Sequence, residues 1–277
     1  MGAKNNRSTW TVLERLNTWL DAAERVAVAA SGGVDSTTLA IIAHRRLGMG
    51  CCKVFHSVSP AVPPLASERL DEIAKREGWL YEVVNTGEFD DPEYLANPVN
   101  RCFFCKKNLY GTLAPRADGV LLSGTNLDDL SDYRPGLQAA DRYAVRHPYV
   151  EVGVDKTGVR ALASALGFED LSELAGAPCL SSRVETGIPV EPEALRLIDA
   201  VEQHIAAMMD TNTVRCRVRR EALIVELDEP SLERMAEERR AVLGAEIEDM
   251  AGAVGFDLPI SFAVYRRGSA FIQREGK

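Results

Sequence analysis

Two patterns of apolar positions alternate along the first part of the chain. Short, nearly continuous apolar runs lie at residues 25–30, 51–58, 80–85 and 119–124. Runs of that length without polar alternation predict strands buried on both faces. Between them, apolar residues recur three and four apart, which predicts helices. These cover 9–21 (Leu13, Leu16 and Leu20 on one stripe), 34–47, 64–77, 102–115 and 155–166, the last stopped by Gly167. Trp10, Trp19 and Trp79 read as packing residues. Strands alternating with helices predict an α/β fold with a doubly wound parallel sheet. Ligands of such sheets bind beyond the carboxyl ends of the strands. Here those ends run into 31–36, 57–59, 85–87 and 124–129, all rich in Ser, Thr, Asn, Gly and Asp.

Near residue 185 the pattern changes. A long helix follows a proline-bearing link in GIPVEPEALRLIDAVEQHIAAMM. TVRCRVRR and ALIVELDE then alternate like paired strands about Arg220 and Glu221. Residues 230–253 read as helical and ISFAVYRRGSAFI as a closing strand. The expectation is one domain over 1–187 and a small α+β domain over 188–277 that binds substrate or joins subunits.

With 46% hydrophobic and 26% charged residues among 277, an ordinary globular core is expected. The net charge of −9 weighs against general nucleic-acid affinity, which rests on Lys and Arg neutralising phosphates. No stretch approaches the roughly 20 apolar residues of a membrane span. The amino terminus lacks an apolar signal core, and Asn6 stands where a myristoylation pattern wants Ser or Thr. A cytoplasmic location is expected. Six cysteines in such a protein do not suggest a disulfide framework. Cys51, Cys52 and Cys216 sit in strand-like runs. Cys102 and Cys105 form C-x-x-C, which asks for a metal, cluster or redox reading. The four histidines show no ligand spacing, and His56 reads as a satisfied core residue.

The most informative stretch is SGGVDS, from Ser31 to Ser36, between a strand and a helix. Backbone N–H groups of a glycine turn at a helix start bind anions. Gly32 and Gly33 permit close approach and positive φ. Ser31 and Ser36 donate hydroxyls, and Asp35 suits an accompanying Mg²⁺. The lysine of a P-loop is absent, so γ-phosphoryl transfer is not implied.

SGGVDS resembles the PP-loop of ATP pyrophosphatases, which implies ATP cleavage between the α and β phosphates. Three further segments follow in order: NPVNRCFFCKKNLYGTL (97–113), SGTNLDDLSDYRPGLQAA (123–140) and APCLSSRVETGIPV (177–190). With them, nearly the whole chain is similar to the LarE family of sulfur transferases. That resemblance implies the substrate pyridinium-3,5-biscarboxylic acid mononucleotide. ATP would adenylate its carboxylate, and sulfur would displace AMP to leave a thiocarboxylate used in nickel-pincer cofactor synthesis. A carboxylate is a poor acyl donor until its oxygen joins a good leaving group, and sulfur is a good nucleophile near neutral pH.

The family obtains sulfur in two ways. A single cysteine at the position of Cys179 gives up its own sulfur, or three cysteines hold a [4Fe-4S] cluster. Cys102, Cys105 and Cys179 together favour the cluster. Zinc, a redox pair and plain buried thiols remain open for the C-x-x-C.

Other residues fill out the expected site. Gly124 ends a strand where a nucleotide would approach. Asp128 and Asp129 suit Mg²⁺ or substrate, while Asp132 and Arg134 suit a local pair. Ser182 and Arg183 follow Cys179, and Arg183 suits a phosphate or carboxylate. Arg215, Arg217 and Arg219 share one strand face, where like charges repel unless an anion is present. The substrate phosphate is the expected anion for Arg215 and Arg217; the alternative is a solvated edge-strand face. Glu202 and Glu226 are expected metal or substrate ligands. The competing functions are a tRNA-thiolating PP-loop enzyme and an ATP-binding module without turnover. The resemblance also implies a homo-oligomer; the residues name no sulfur donor.

Overall fold

The computed structural model describes residues 2–130, 135–176 and 178–266. The described residues form two compact units, one within 2–88 and 102–176, the other within 89–101 and 178–266. The expected pair of Asp132 and Arg134 lies outside the described residues, as does the end of the closing strand beyond 266.

The first unit begins with α1 (Gly2–Ala23), β1 (Val26–Ala30), α2 (Val34–Leu47), β2 (Cys52–Ser57), α3 (Pro64–Glu77) and β3 (Leu80–Val84). The chain then makes α4 (Pro92–Leu95), which belongs to the second unit, and enters α5 (Arg101–Leu113). The first unit closes with β4 (Val120–Leu122), α6 (Pro135–Arg142), α7 (Pro148–Glu151), α8 (Lys156–Ala165) and α9 (Glu169–Glu173). Its four strands are all parallel, in the order β3-β2-β1-β4. Successive strand residues point to opposite faces. Val26, Val28 and Ala30 therefore join a core with α1, α2 and α8, while Ala27 and Phe55 join another with Tyr110, Leu113, Ala139 and Ala140. Covering both faces explains why β1, β2 and β4 lack polar alternation, whereas the edge strand β3 leaves Leu80 and Val83 exposed.

The strand order fixes where a ligand enters. From β1 the chain winds out through β2 and β3, then returns to β4 on the other side of β1. The carboxyl ends of β1 and β4 therefore flank a topological switch point, the usual binding crevice of such sheets. Ser31–Ser36 follows β1 at that point.

The second unit contains α4, α10 (Pro192–Met208), β5 (Val214–Val218), β6 (Leu223–Leu227), α11 (Glu229–Arg234), α12 (Glu237–Gly252) and β7 (Ile260–Val264). β5 and β6 form the expected hairpin, with Cys216 opposite Val225, and β7 pairs parallel to β6. The helical stretch after 228 is two helices, because Met235 and Ala236 turn extended between them. This unit takes in residues 89–101 and begins before the change of pattern near 188. Asn97 is the reason. Buried, with φ +52°, it donates from Nδ2 to the carbonyls of Glu185 (2.9 Å) and Ile188 (2.8 Å) and accepts from Arg101. Gly187 and Val190 donate in turn to the Asn97 and Leu95 carbonyls.

Candidate functional site

The Gly loop is a turn that only certain residues tolerate. Gly32 has φ +79°, and a Cβ there would stand 2.4 Å from the Ala66 carbonyl oxygen. Gly33 differs from expectation: its φ is −81°, and it serves as the N-cap of α2 without a side-chain cap. The first-turn amides of α2 have no carbonyl partners within the helix. Such amides, together with the helix dipole, favour an anion. Ser36 Oγ accepts the Ser31 N–H (3.0 Å) and shares a hydrogen bond with Ser31 Oγ (3.1 Å), which sets the width of the loop. Arg69, from α3, donates to the Gly32 carbonyl at 2.8 Å.

A Cβ on Gly124 would lie 2.5 Å from the Ser36 nitrogen. Its bareness therefore serves packing of the β4 end against the loop, where a direct approach to nucleotide was expected. Asp35 is engaged on both oxygens: Asn126 Nδ2 donates to one (3.1 Å) and Lys156 Nζ to the other (2.5 Å). The Tyr149 hydroxyl donates to the Asp35 carbonyl at 3.2 Å. Asp128 and Asp129, expected on Mg²⁺ or substrate, each accept a backbone N–H. Asp128 Oδ2 accepts the Lys156 N–H at 2.8 Å and Asp129 Oδ2 the Asn126 N–H at 3.1 Å. Both carboxylates thus brace the residues that reach Asp35.

Lys156, Asn126 and Arg69 were not legible as site residues. Lys156 follows Asp155, whose side chain caps α8, so locally it reads as an ordinary helix start. His56 is satisfied as expected. Nδ1–H donates to the Ala30 carbonyl (3.0 Å), and Nε2 accepts from Ser67 (2.8 Å). Burial pushes its pKa below the ordinary value. Trp79 is buried and Trp19 half-buried, but Trp10 is exposed.

Cys102 and Cys105 stand in the first turn of α5, three residues apart and so on one face of that helix. Cys102 is exposed and Cys105 half-buried, and the described cysteines form no disulfide. Cys179 belongs to the second unit, exposed at the head of a 3-10 turn over Leu180–Arg183. Among the described residues, no three His, Cys, Asp or Glu side chains are grouped to hold a metal ion.

Around Cys179 the expected substrate residues turn to the loop itself. Arg183 is buried, and its Nε and Nη2 each donate to a Glu202 carboxylate oxygen at 2.9 Å. Its Nη1 donates to the carbonyls of Pro178 (2.5 Å) and Cys179 (3.1 Å) and to Ser182 Oγ (3.1 Å). Burial opposes the guanidinium charge, but Glu202 outweighs it and holds Arg183 above its ordinary pKa. Glu202 Oε1 also accepts the Cys216 N–H at 3.0 Å.

Arg217 is paired as tightly. Its Nε donates to Glu226 Oε2 (2.9 Å), a diagonal cross-strand pair, and its Nη1 to the Ser182 carbonyl (2.9 Å). Arg219 lies 3.8 Å from Glu185 and 3.9 Å from Glu226. Arg217 and Arg219 thus face the chain's own carboxylates, Glu226 and Glu185. Arg215 is half-buried, with its guanidinium 5.9 Å from the Tyr265 ring. Burial and the nearby Arg183 lower its pKa.

An uncharacterised protein of Synechocystis sp. is 35% identical over 233 residues, covering 82% of this chain and 85% of its own. A Lactiplantibacillus plantarum protein named pyridinium-3,5-bisthiocarboxylic acid mononucleotide synthase is 28% identical, over 74% of this chain and 75% of its own. The chain belongs to the LarE family. An uncharacterised protein of Methanocaldococcus jannaschii, 22% identical over 79% of this LarE-family chain and 84% of its own, is a further relative. No family model matches the chain. No helix among the described residues is long and apolar enough to cross a membrane.

Proposed function

We propose that this LarE-family protein is an ATP-dependent sulfur transferase acting on pyridinium-3,5-biscarboxylic acid mononucleotide. The Ser31–Ser36 loop at the switch point carries the reading. It offers amides, two hydroxyls and a carboxylate to a polyphosphate, with no lysine of its own. The substrate is drawn from the name of the Lactiplantibacillus relative.

The pyrophosphate portion of ATP sits on the first-turn amides of α2. Asp35 would hold Mg²⁺, which would neutralise phosphate charge there, and Lys156, freed from Asp35, supplies a cation from outside the loop. The substrate carboxylate attacks the α-phosphorus, and the α–β bridging bond breaks to release pyrophosphate. A sulfur nucleophile then attacks the acyl carbon and AMP leaves, with no net oxidation or reduction. Cys102, Cys105 and Cys179 are three soft thiolate donors of the kind that fits a [4Fe-4S] cluster, with both C-x-x-C thiols on one helix face. A cluster held by these three ligands would leave one iron open to carry an extra sulfide as the transferred sulfur. The sacrificial route is the second reading, favoured by the exposed Cys179 at the head of its turn.

Anaerobically purified protein given Mg²⁺-ATP, sulfide and the mononucleotide is expected to release pyrophosphate and AMP in step with thiocarboxylate. Pyrophosphate release without substrate-dependent AMP would overturn the proposal. With about four irons per chain, Cys102→Ala, Cys105→Ala and Cys179→Ala should each abolish transfer. If only Cys179→Ala does so, and the spent protein is lighter by one H₂S, Cys179 is itself the donor.

A further inference from the structure

We propose that Arg183 is a positioning residue: with Arg217 on the sheet side it clamps the turn that presents Cys179, through three backbone carbonyls, and it is not a substrate ligand. The inference rests on the reading of Cys179 as the sulfur-handling thiol.

A guanidinium has five N–H groups in a fixed plane and no acceptor. Arg183 sends Nε and Nη2 to both oxygens of Glu202, so its orientation is set by a two-point bond. Nη1 is then aimed at the Pro178 and Cys179 carbonyls and at Ser182 Oγ. Arg217, fixed by Glu226, holds the Ser182 carbonyl from the sheet side. The turn adds its own bonds, Ser182 N–H to the Cys179 carbonyl (2.9 Å) and Val184 N–H to that of Ser181 (3.2 Å). The Ser181 hydroxyl is tied to the buried Tyr94 hydroxyl at 2.7 Å. With these backbone and neighbouring groups tied inward, Cys179 itself is left exposed.

A substrate anion competing for Arg183 would have to displace Glu202 or strip the carbonyls, leaving buried polar groups unpaired. Glu202 is also anchored to the Cys216 N–H, so it does not yield without disturbing β5. A short turn with one exposed thiol gains from such a clamp, because transfer depends on holding the reacting atom in place.

Three variants separate clamp from ligand. Arg183→Lys keeps the charge opposite Glu202 but loses the fork. Arg183→Met with Glu202→Leu removes both buried charges. Cys179→Ala reports the baseline. Amide exchange over 179–184 is expected to accelerate at least tenfold in Arg183→Lys and in the double variant, while the β5–β6 amides stay protected. Iodoacetamide labelling of Cys179, normalised to Cys102 in the same molecules, is expected to change with it. In the transfer assay kcat falls and KM for the mononucleotide stays within twofold. Unchanged exchange together with a raised KM and an unchanged kcat would make Arg183 a substrate ligand and overturn the clamp. Exchange and labelling need no turnover. A wild-type protein that fails to transfer sulfur while showing the expected exchange pattern therefore refutes the proposed function and leaves the clamp standing.

Discussion

The two loops of this molecule treat charge in opposite ways. In the first unit, Asp35 and Lys156 form an ion pair whose side chains are 26% and 34% exposed. In the second, Arg183 and Glu202 are 2% and 14% exposed, and Arg217 and Glu226 are 6% and 5% exposed. A pair within reach of water exchanges partners at little cost, which suits the polyphosphate loop proposed above. A dry pair is costly to break, which suits the proposed thiol clamp. If that contrast is right, breaking each pair has a different signature.

The largest effect falls on the dry pair. Arg183→Met leaves Glu202 buried and uncompensated, which costs about 3–5 kcal/mol of stability. Removing both charges, in Arg183→Met with Glu202→Leu, is expected to return most of that loss, read as the urea midpoint at constant m-value. A double variant no more stable than the single one would break the comparison, because the pair would then be adding net stability.

Next come the glycines. Gly32→Ala puts a Cβ against the Ala66 carbonyl at φ +79°. The strain should cost roughly 1–3 kcal/mol, and nucleotide binding should be lost as the loop or the start of α3 shifts. Gly33→Ala, at φ −81° and with only Ser31 Oγ near (3.6 Å), should stay within about 0.5 kcal/mol of the parent. Calorimetric titration with Mg²⁺-ATP alongside thermal unfolding checks both. Equal destabilisation by the two substitutions would mean that close approach at Gly32 does not shape the loop.

This glycine contrast also marks what the chain made legible. The alternating apolar runs place all four parallel strands and the later hairpin, because burial on two faces or one dictates which positions are apolar. SGGVDS announces an anion loop, because the chemistry needs those residue types in consecutive order. The partners of the loop were hidden. Lys156 lies 121 residues from Asp35, and nothing in its own neighbourhood asks for a phosphate. Arginine spacing at 215, 217 and 219 asks for negative charge, but periodicity does not say whether the chain supplies it; Glu226 and Glu185 do so for Arg217 and Arg219. Asn97 likewise ties 89–101 to the rest of the second unit through side-chain hydrogen bonds to Glu185 and Ile188 that no local pattern encodes.

A smaller effect, confined to acid, belongs to His56. Its burial holds the folded-state pKa below the ordinary value of about 6.5. Below pH 6.5 the unfolded chain therefore takes up this proton first, and the first unit loses stability as pH falls from there toward the folded value. His56→Gln should flatten that part of the stability curve relative to the parent. An unchanged slope between pH 7 and 5, measured by urea unfolding at each pH, would show that the ring accepts its proton without losing Ser67.

The smallest change in stability, and the sharpest test of the contrast, is expected at Lys156. Lys156→Met removes a partly hydrated partner from Asp35, so stability should fall by no more than about 1 kcal/mol. Asn126 still satisfies one Asp35 oxygen, and water replaces the ammonium on the other. Mg²⁺-ATP affinity should nonetheless drop tenfold or more, which is about 1.4 kcal/mol of binding, because the loop loses its one delivered cation. Mg²⁺ should at the same time reach half-saturation at a lower concentration, since Asp35 no longer has to release a lysine. Those two shifts in opposite directions separate a lysine that moves between carboxylate and phosphate from one that merely staples α8 to α2. A staple would lose stability and leave both titrations where they were.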